Sequence, residues 1–225
     1  GDLTRIFCAA LEAEHKRPGI FSLSRLLSHE KKLGDFTLSH GRLSLREPTA
    51  FRDDPLNLLR LFHTAQQHEV DIHPEALRQV RRDMRLIDDV RDTPEANKLF
   101  LEMLTSKRET ITTLRRLNEA GLFGRFLPPF GRIVAMMQYN MYHSYTVDEH
   151  TIRAITELRR LEDGRLNDVA PVASKVVQAV PHRRALYVAV LFHDIGKGRG
   201  GDHSIIGADL VEEYGPRLGL SAAET

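Results

Sequence analysis

Apolar residues recur at helical spacing along most of the chain and switch to strand-like alternation in one place. Leu3, Ile6, Phe7, Ala10 and Leu11 share a helical face until Pro18-Gly19 interrupts it, so the chain is expected to open on the tail of a helix. Between Phe36 and Leu45 the period changes to two around His40-Gly41, which predicts a short β-hairpin. Asp53-Asp54-Pro55 then offers an N-cap and a first-turn proline to a helix carrying Leu56, Leu58, Leu59, Leu61, Phe62 and Ala65. Pro74 and Pro94 each stand where a first turn would begin. Leu77, Val80, Met84 and Ile87 follow the first at helical spacing, and Leu99, Phe100, Met103 and Leu104 follow the second. A further run over 111–120 closes at Gly121.

Glycines and prolines break the pattern from Gly121 to Gly131, which is read as a domain junction, with its large apolar residues arguing for a loop docked on the core. Beyond it helices are expected over about 147–162, 172–179, 183–193 and 204–214. The fold class is therefore mainly α. A helical linker region with a short β-hairpin, residues 1–130, precedes an all-helical domain, residues 131–225.

Composition narrows the classes of function. At 225 residues and 41% hydrophobic content the chain can build packed cores. Its 32 Lys and Arg against 31 Asp and Glu leave a formal charge of +1, with no global basic field for nucleic acid or an anionic membrane. Cys8 is the single cysteine and cannot form an internal disulfide, and the apolar run Ala185 to Phe192 is far shorter than a membrane span, so a cytoplasmic location is expected. The opening Gly1-Asp2-Leu3-Thr4 has neither a methionine nor a signal segment and reads as a cut through a longer protein.

The chemistry gathers at Leu191-Phe-His-Asp-Ile-Gly-Lys-Gly-Arg-Gly-Gly-Asp-His203, where an apolar helix ends in metal-capable and charged side chains. Neutral imidazole and carboxylate are both ligands for first-row metals, and His193 and Asp194 can point at one position from a helix end. Gly196 allows a tight turn beside them. His150 and His203 are the histidines that would complete such a site, with Asp148 and Glu149 as neighbours able to orient the His150 ring. Asp202-His203-Ser204 also reads as a helix N-cap. Gly196-Lys197 is no phosphate loop, because that motif needs a glycine five residues earlier and a Ser or Thr after the lysine. His15, His29, His40, His63, His68, His73, His143 and His182 show no shared spacing. Arg78, Arg81, Arg82 and Arg85 fall along one helical side, by default a solvated face.

His150 followed by His193-Asp194-Ile-Gly-Lys197 resembles the ordered histidine and His-Asp signature of the HD phosphohydrolase superfamily. Within it, Tyr139-Asn-Met-Tyr-His-Ser-Tyr-Thr-Val-Asp-Glu-His-Thr151 and Arg184-Ala-Leu-Tyr-Val-Ala-Val-Leu-Phe-His-Asp194 resemble the bifunctional PII uridylyltransferase/uridylyl-removing enzymes. So do Asp54-Pro-Leu-Asn-Leu-Leu-Arg-Leu-Phe62 and Gly124-Arg-Phe-Leu-Pro-Pro-Phe-Gly-Arg-Ile-Val-Ala-Met-Met-Gln138. These strings run nearly end to end and are more specific than the His-Asp pair alone.

The resemblance implies an HD-type second domain that removes UMP from a tyrosine of the nitrogen regulatory protein PII. It makes His150, His193 and Asp194 metal ligands and His203 a histidine that binds a second metal in some members. It implies Mg²⁺ or Mn²⁺ as the cofactor. Histidine-rich ligation alone would suit Mn²⁺, Fe²⁺ or Zn²⁺, so Mn²⁺ satisfies both arguments. Asp194 and Lys197 are the candidate catalytic groups, with Lys197 and Arg199 able to stabilise charge on phosphoryl oxygens. The family's terminal aspartate ligand has no match before Thr225, so the domain is expected to be truncated. Neither a nucleotidyltransferase site nor nucleic-acid binding is expected. The competing readings are the linker and HD region of a tRNA nucleotidyltransferase, which the near-neutral charge disfavours, and a non-catalytic regulatory helical module.

Overall fold

The computed structural model describes residues 30–137 and 145–225, so the helix expected at the start of the chain lies outside the described residues. The alternating segment forms β2 (Phe36–Ser39) and β3 (Arg42–Leu45), antiparallel, with Phe36 opposite Leu45 and Leu38 opposite Leu43. His40 and Gly41 connect them at φ 50° and 73°, the left-handed backbone a tight two-residue turn demands. The period of two puts Phe36, Leu38, Leu43 and Leu45 on the face that meets the core.

Two further strands escape the sequence pattern. β1 (Lys31–Leu33) pairs antiparallel with β2, and β4 (Asp71–Ile72) pairs parallel with β3, giving the order β1-β2-β3-β4. Runs of three and two residues are too short to show a period.

Between β3 and β4 lie α1 (Ala50–Asp53) and α2 (Asn57–His68). Here the expected cap is corrected: Asp53 closes α1, and α2 begins only at Asn57. The Asp54 carboxylate accepts from the Leu56 amide at 3.0 Å and pairs with Arg60, so it shapes the turn before the helix instead of capping it. The proline-initiated helices appear as α3 (Pro74–Asp83) and α4 (Pro94–Thr105). His73 and Thr93 cap them, accepting from the amides of Glu75 and Ala96.

After α5 (Thr110–Glu119) the expected junction loop is corrected to two short helices, α6 (Leu122–Phe126) and α7 (Pro128–Gly131). Their cause is packing. Phe123 stacks on Phe130 with ring centroids 3.8 Å apart, and Phe100 lies against Phe123 and Phe126 at 5.4 and 4.9 Å. The glycines that break the pattern permit this contact: a Cβ on Gly124 would fall 2.7 Å from Gly131 Cα.

The second half contains α8 (Val147–Glu162), α9 (Pro171–Ala179), α10 (Arg183–Phe192) and α11 (His203–Arg217). α11 runs past the expected end at Tyr214. α10 buries Tyr187, Val188, Leu191 and Phe192 among α8, α11 and α4. Full burial of such side chains contributes roughly 1.5–3 kcal/mol each, which makes α10 a rigid base for whatever its end carries. Among the described residues no helix is long and apolar enough to cross a membrane.

Candidate metal centre

α8 and α10 lie antiparallel, since the start of α8 meets the end of α10 at His150 and His193, and the end of α8 meets the start of α10 at Glu162 and Arg183. α10 stops at Phe192 because the chain tightens into consecutive turns: Ile195 donates to the Phe192 carbonyl and Lys197 to that of Asp194. Gly196 has no room for a side chain. A Cβ there would lie 2.4 Å from the His203 carbonyl oxygen and 3.0 Å from Ile206. α11 therefore starts directly against the turn that carries Asp194. Gly207, whose Cβ would sit 3.1 Å from the Phe192 carbonyl, lets the next turn of α11 approach as well.

This framework gathers three of the expected ligands. His150 Nε2 is 3.4 Å from His193 Nε2 and 3.4 Å from Asp194 Oδ2, and His193 Nε2 is 3.3 Å from the same oxygen. Atoms bonded to one cation at about 2.1 Å stand about 3.0 Å apart in octahedral and about 3.4 Å apart in tetrahedral coordination. The observed spacings match such edges, so these side chains fit a common first-row metal. Both rings remain partly open to solvent, with side chains 34% and 38% exposed, while the Asp194 side chain is 8% exposed. The base of the cluster is covered and its mouth accessible.

Hydrogen bonding sets the ligand atoms. His193 Nδ1 lies 2.6 Å from the Val190 carbonyl oxygen. A carbonyl only accepts, so Nδ1 carries a proton, and in the neutral ring Nε2 then keeps its lone pair, the tautomer a metal ligand requires. The bond to Asp194 raises the His193 pKa against the opposing effect of burial. Burial alone would raise the Asp194 carboxyl, but His193 and Lys197 outweigh it and hold the acid well below the usual carboxylate range. The carboxylate is thus ionised and ready to bind a cation.

Lys197 Nζ lies 2.6 Å from Asp194 Oδ2, the oxygen both imidazoles face. Arg199 is half-buried beside the glycine turn. His203 does not join the cluster of His150, His193 and Asp194. It is the exposed first residue of α11, whose cap is Asp202, accepting from the Ser204 amide at 2.8 Å. The capping reading of Asp202-His203-Ser204 holds.

The acids beside His150 fasten α8 to α5. Buried Asp148 accepts from Asn118 at 2.7 Å and from the Ala135 amide at 3.3 Å. Glu149 pairs with Arg115 at 2.6 Å and with Arg153 at 3.0 Å. Sequence reasoning missed Val190, Asn118 and Arg115. The first acts through its backbone and the others come from a helix, 30 and 34 residues before their partners. An acidic pair in the first turn of α8 was the visible signal for them.

Comparison with known families places these observations. Residues 36–126 match the model described as the third domain of the uridylyltransferase GlnD, and residues 147–225 match the HD domain model. Over its whole length the chain is 56% identical to a protein of Azospirillum brasilense, 53% to one of Rhodospirillum rubrum and 51% to one of Novosphingobium aromaticivorans. Each of these is named a bifunctional uridylyltransferase/uridylyl-removing enzyme. The chain covers 24%, 24% and 25% of them respectively, about a quarter of their length. With the HD cluster assembled and full-length identity above one half, the chain belongs to the family of bifunctional uridylyltransferase/uridylyl-removing enzymes.

Proposed function

We propose that this chain carries the uridylyl-removing site of its family: His150, His193 and Asp194 hold a divalent cation, Mn²⁺ or Mg²⁺, and the reaction is hydrolysis of the phosphodiester between UMP and a PII tyrosine. Water adds to phosphorus, the bond to the tyrosyl oxygen breaks, and UMP and unmodified PII result. The observation that carries the reading is the convergence of two imidazole nitrogens and one carboxylate oxygen at spacings of 3.3–3.4 Å.

A bound divalent cation would supply positive charge and acidify water at neutral pH. The chain supplies the rest. The Val190 carbonyl fixes the His193 ring, and the packed end of α10 fixes Asp194. Lys197 is within reach of the same oxygen and provides a mobile positive charge that can turn from the carboxylate to a phosphoryl oxygen. His203, on the backbone packed over Gly196, is the candidate for a second cation. Gly196 itself keeps that segment close.

The division into a linker region, 1–130, and an HD domain, 131–225, goes with this reading, as does a cytoplasmic location with PII as the protein substrate. It is supported by the separate matches, which leave the junction between 126 and 147 unclaimed. The test is UMP release from uridylylated PII by the full-length parent enzyme, its Asp194→Ala variant and this chain, with and without Mn²⁺. Metal-dependent release abolished by the substitution is the expected result. Release at the parental rate by the substituted enzyme would overturn the assignment.

A further inference from the structure

A second site lies in the linker half, away from the metal cluster. β4, α3 and α5, with the start of β3, line a half-open cavity of about 380 Å³, within the range typical of small-molecule sites. Arg42, Arg81, Arg115 and Arg116 line it together with Asp71 and Glu119, so the lining carries four guanidinium and two carboxylate side chains. Ile72 and Leu77 contribute apolar surface to the same wall. The cavity shares no residue with His150, His193 or Asp194.

The arginines are not equally committed. Arg116 is held by the Val70 carbonyl and by Asp71. Arg81 donates to the Glu119 backbone carbonyl at 2.7 Å, a neutral acceptor that leaves its charge in place. Arg42 makes no ion pair among the described residues, and its charge helps burial to lower the pKa of neighbouring His73. A solvated helix face, the default reading of Arg81, does not describe this arrangement. Guanidinium groups present planar, paired donors that match phosphate oxygens, and the apolar wall provides contact for an uncharged remainder.

We propose that this cavity binds an organic phosphate of nucleoside-monophosphate size. Binding itself is independent of the hydrolase reading, and a consequence links the two. Arg115 lines the cavity and also pairs with Glu149, the residue before His150. A phosphate that competes for Arg115 releases one of the ties on the first turn of α8, leaving Arg153 as the remaining ion-pair partner of Glu149.

The test is calorimetric titration of UMP into this chain at about 50 mM salt, where phosphate contacts are weakly screened, with EDTA present so that no metal contributes. Saturable binding is expected, and uridine without its phosphate should give none. Arg42→Ala should weaken binding about tenfold, the scale of one lost charge-assisted hydrogen bond, and Leu77→Glu should do so by placing a carboxylate in the wall. Asp71→Asn should tighten it by freeing Arg116, a sign that damage to the fold would not produce. His193→Ala should leave it unchanged. Absence of saturable binding at millimolar UMP overturns the proposal. So does binding that survives Arg42→Ala and Leu77→Glu but is lost in His193→Ala, which would put the nucleotide at the metal cluster.

Discussion

The two ends of the α8–α10 pair each centre on a carboxylate, and the partners chosen at each end differ in kind. At one end Glu162 accepts from Arg183 at 2.7 and 2.9 Å, from Tyr187 at 2.6 Å and from Arg159 at 3.0 Å. Burial opposes these bonds, yet they hold its pKa below the ordinary range, while burial and the bond to Glu162 push Tyr187 up to about 12. At the other end Asp194 is paired with Lys197 and faced by the imidazoles of His150 and His193. Guanidinium and phenol donate hydrogen bonds and offer no ligand atom to a cation near neutral pH. Imidazole has a lone pair to give. The carboxylate at one end is therefore closed into a structural tie, while the one at the other end faces groups with lone pairs able to share a cation.

The contrast is broken most severely by Asp194→Ala in the full-length enzyme. Altering a residue that only orients a ligand typically costs 10–100-fold in metal affinity or activity, so deleting a ligand should lower UMP release by more than about 100-fold. Glu162→Ala should act on the other quantity. It strands Arg183, and because that side chain is 35% exposed the loss should be about 2–3 kcal/mol, below the range for a fully buried pair. Urea unfolding of this chain measures it.

Mn²⁺ at a hundred times its dissociation constant should stabilise the chain by about 2.7 kcal/mol, and the gain should vanish in His193→Ala. A melting temperature that rises equally in both would assign the stabilisation to another site. Gly196→Ala should cost about 1–3 kcal/mol, because the new Cβ meets the His203 carbonyl, which is backbone and cannot swing aside. The smallest effect is in pH. A carboxyl whose folded pKa is depressed contributes stability above its unfolded pKa, near 4.3, and loses it as pH falls through the lower folded value. The gap in urea midpoint between the chain and Glu162→Gln should therefore narrow on acidification from pH 7 to below 4.

Local pattern carried much of this architecture. The hairpin turn at His40-Gly41, the proline-initiated helices and the bounds of α8 follow from neighbours in sequence, and so did the pairing of His193 with Asp194 at a helix end. His150 was one of two histidines offered to complete the site, the resemblance then matched it to a ligand, and the structure brings it to the same oxygen. The parallel partner of β3 was not legible, because β4 shows its role only after α2 has brought it alongside. The helices at Leu122–Phe126 and Pro128–Gly131 were hidden by their own glycines, which mark a close backbone approach there and not an open loop. The link from Arg115 to Glu149 spans 34 residues, and no short-range rule could join them.

Arg217, the final residue of α11, donates to the Phe126 carbonyl at 2.9 Å and to the Asn97 side chain at 3.2 Å. During synthesis these partners leave the ribosome 91 and 120 residues ahead of it. At ordinary elongation rates the 91-residue separation sets a delay of roughly 5–18 s before the phenylalanine-rich helices can receive this guanidinium. α11 thus fastens segments made well before it: the phenylalanine-rich helices and α4 receive this contact only after the chain has grown far past them.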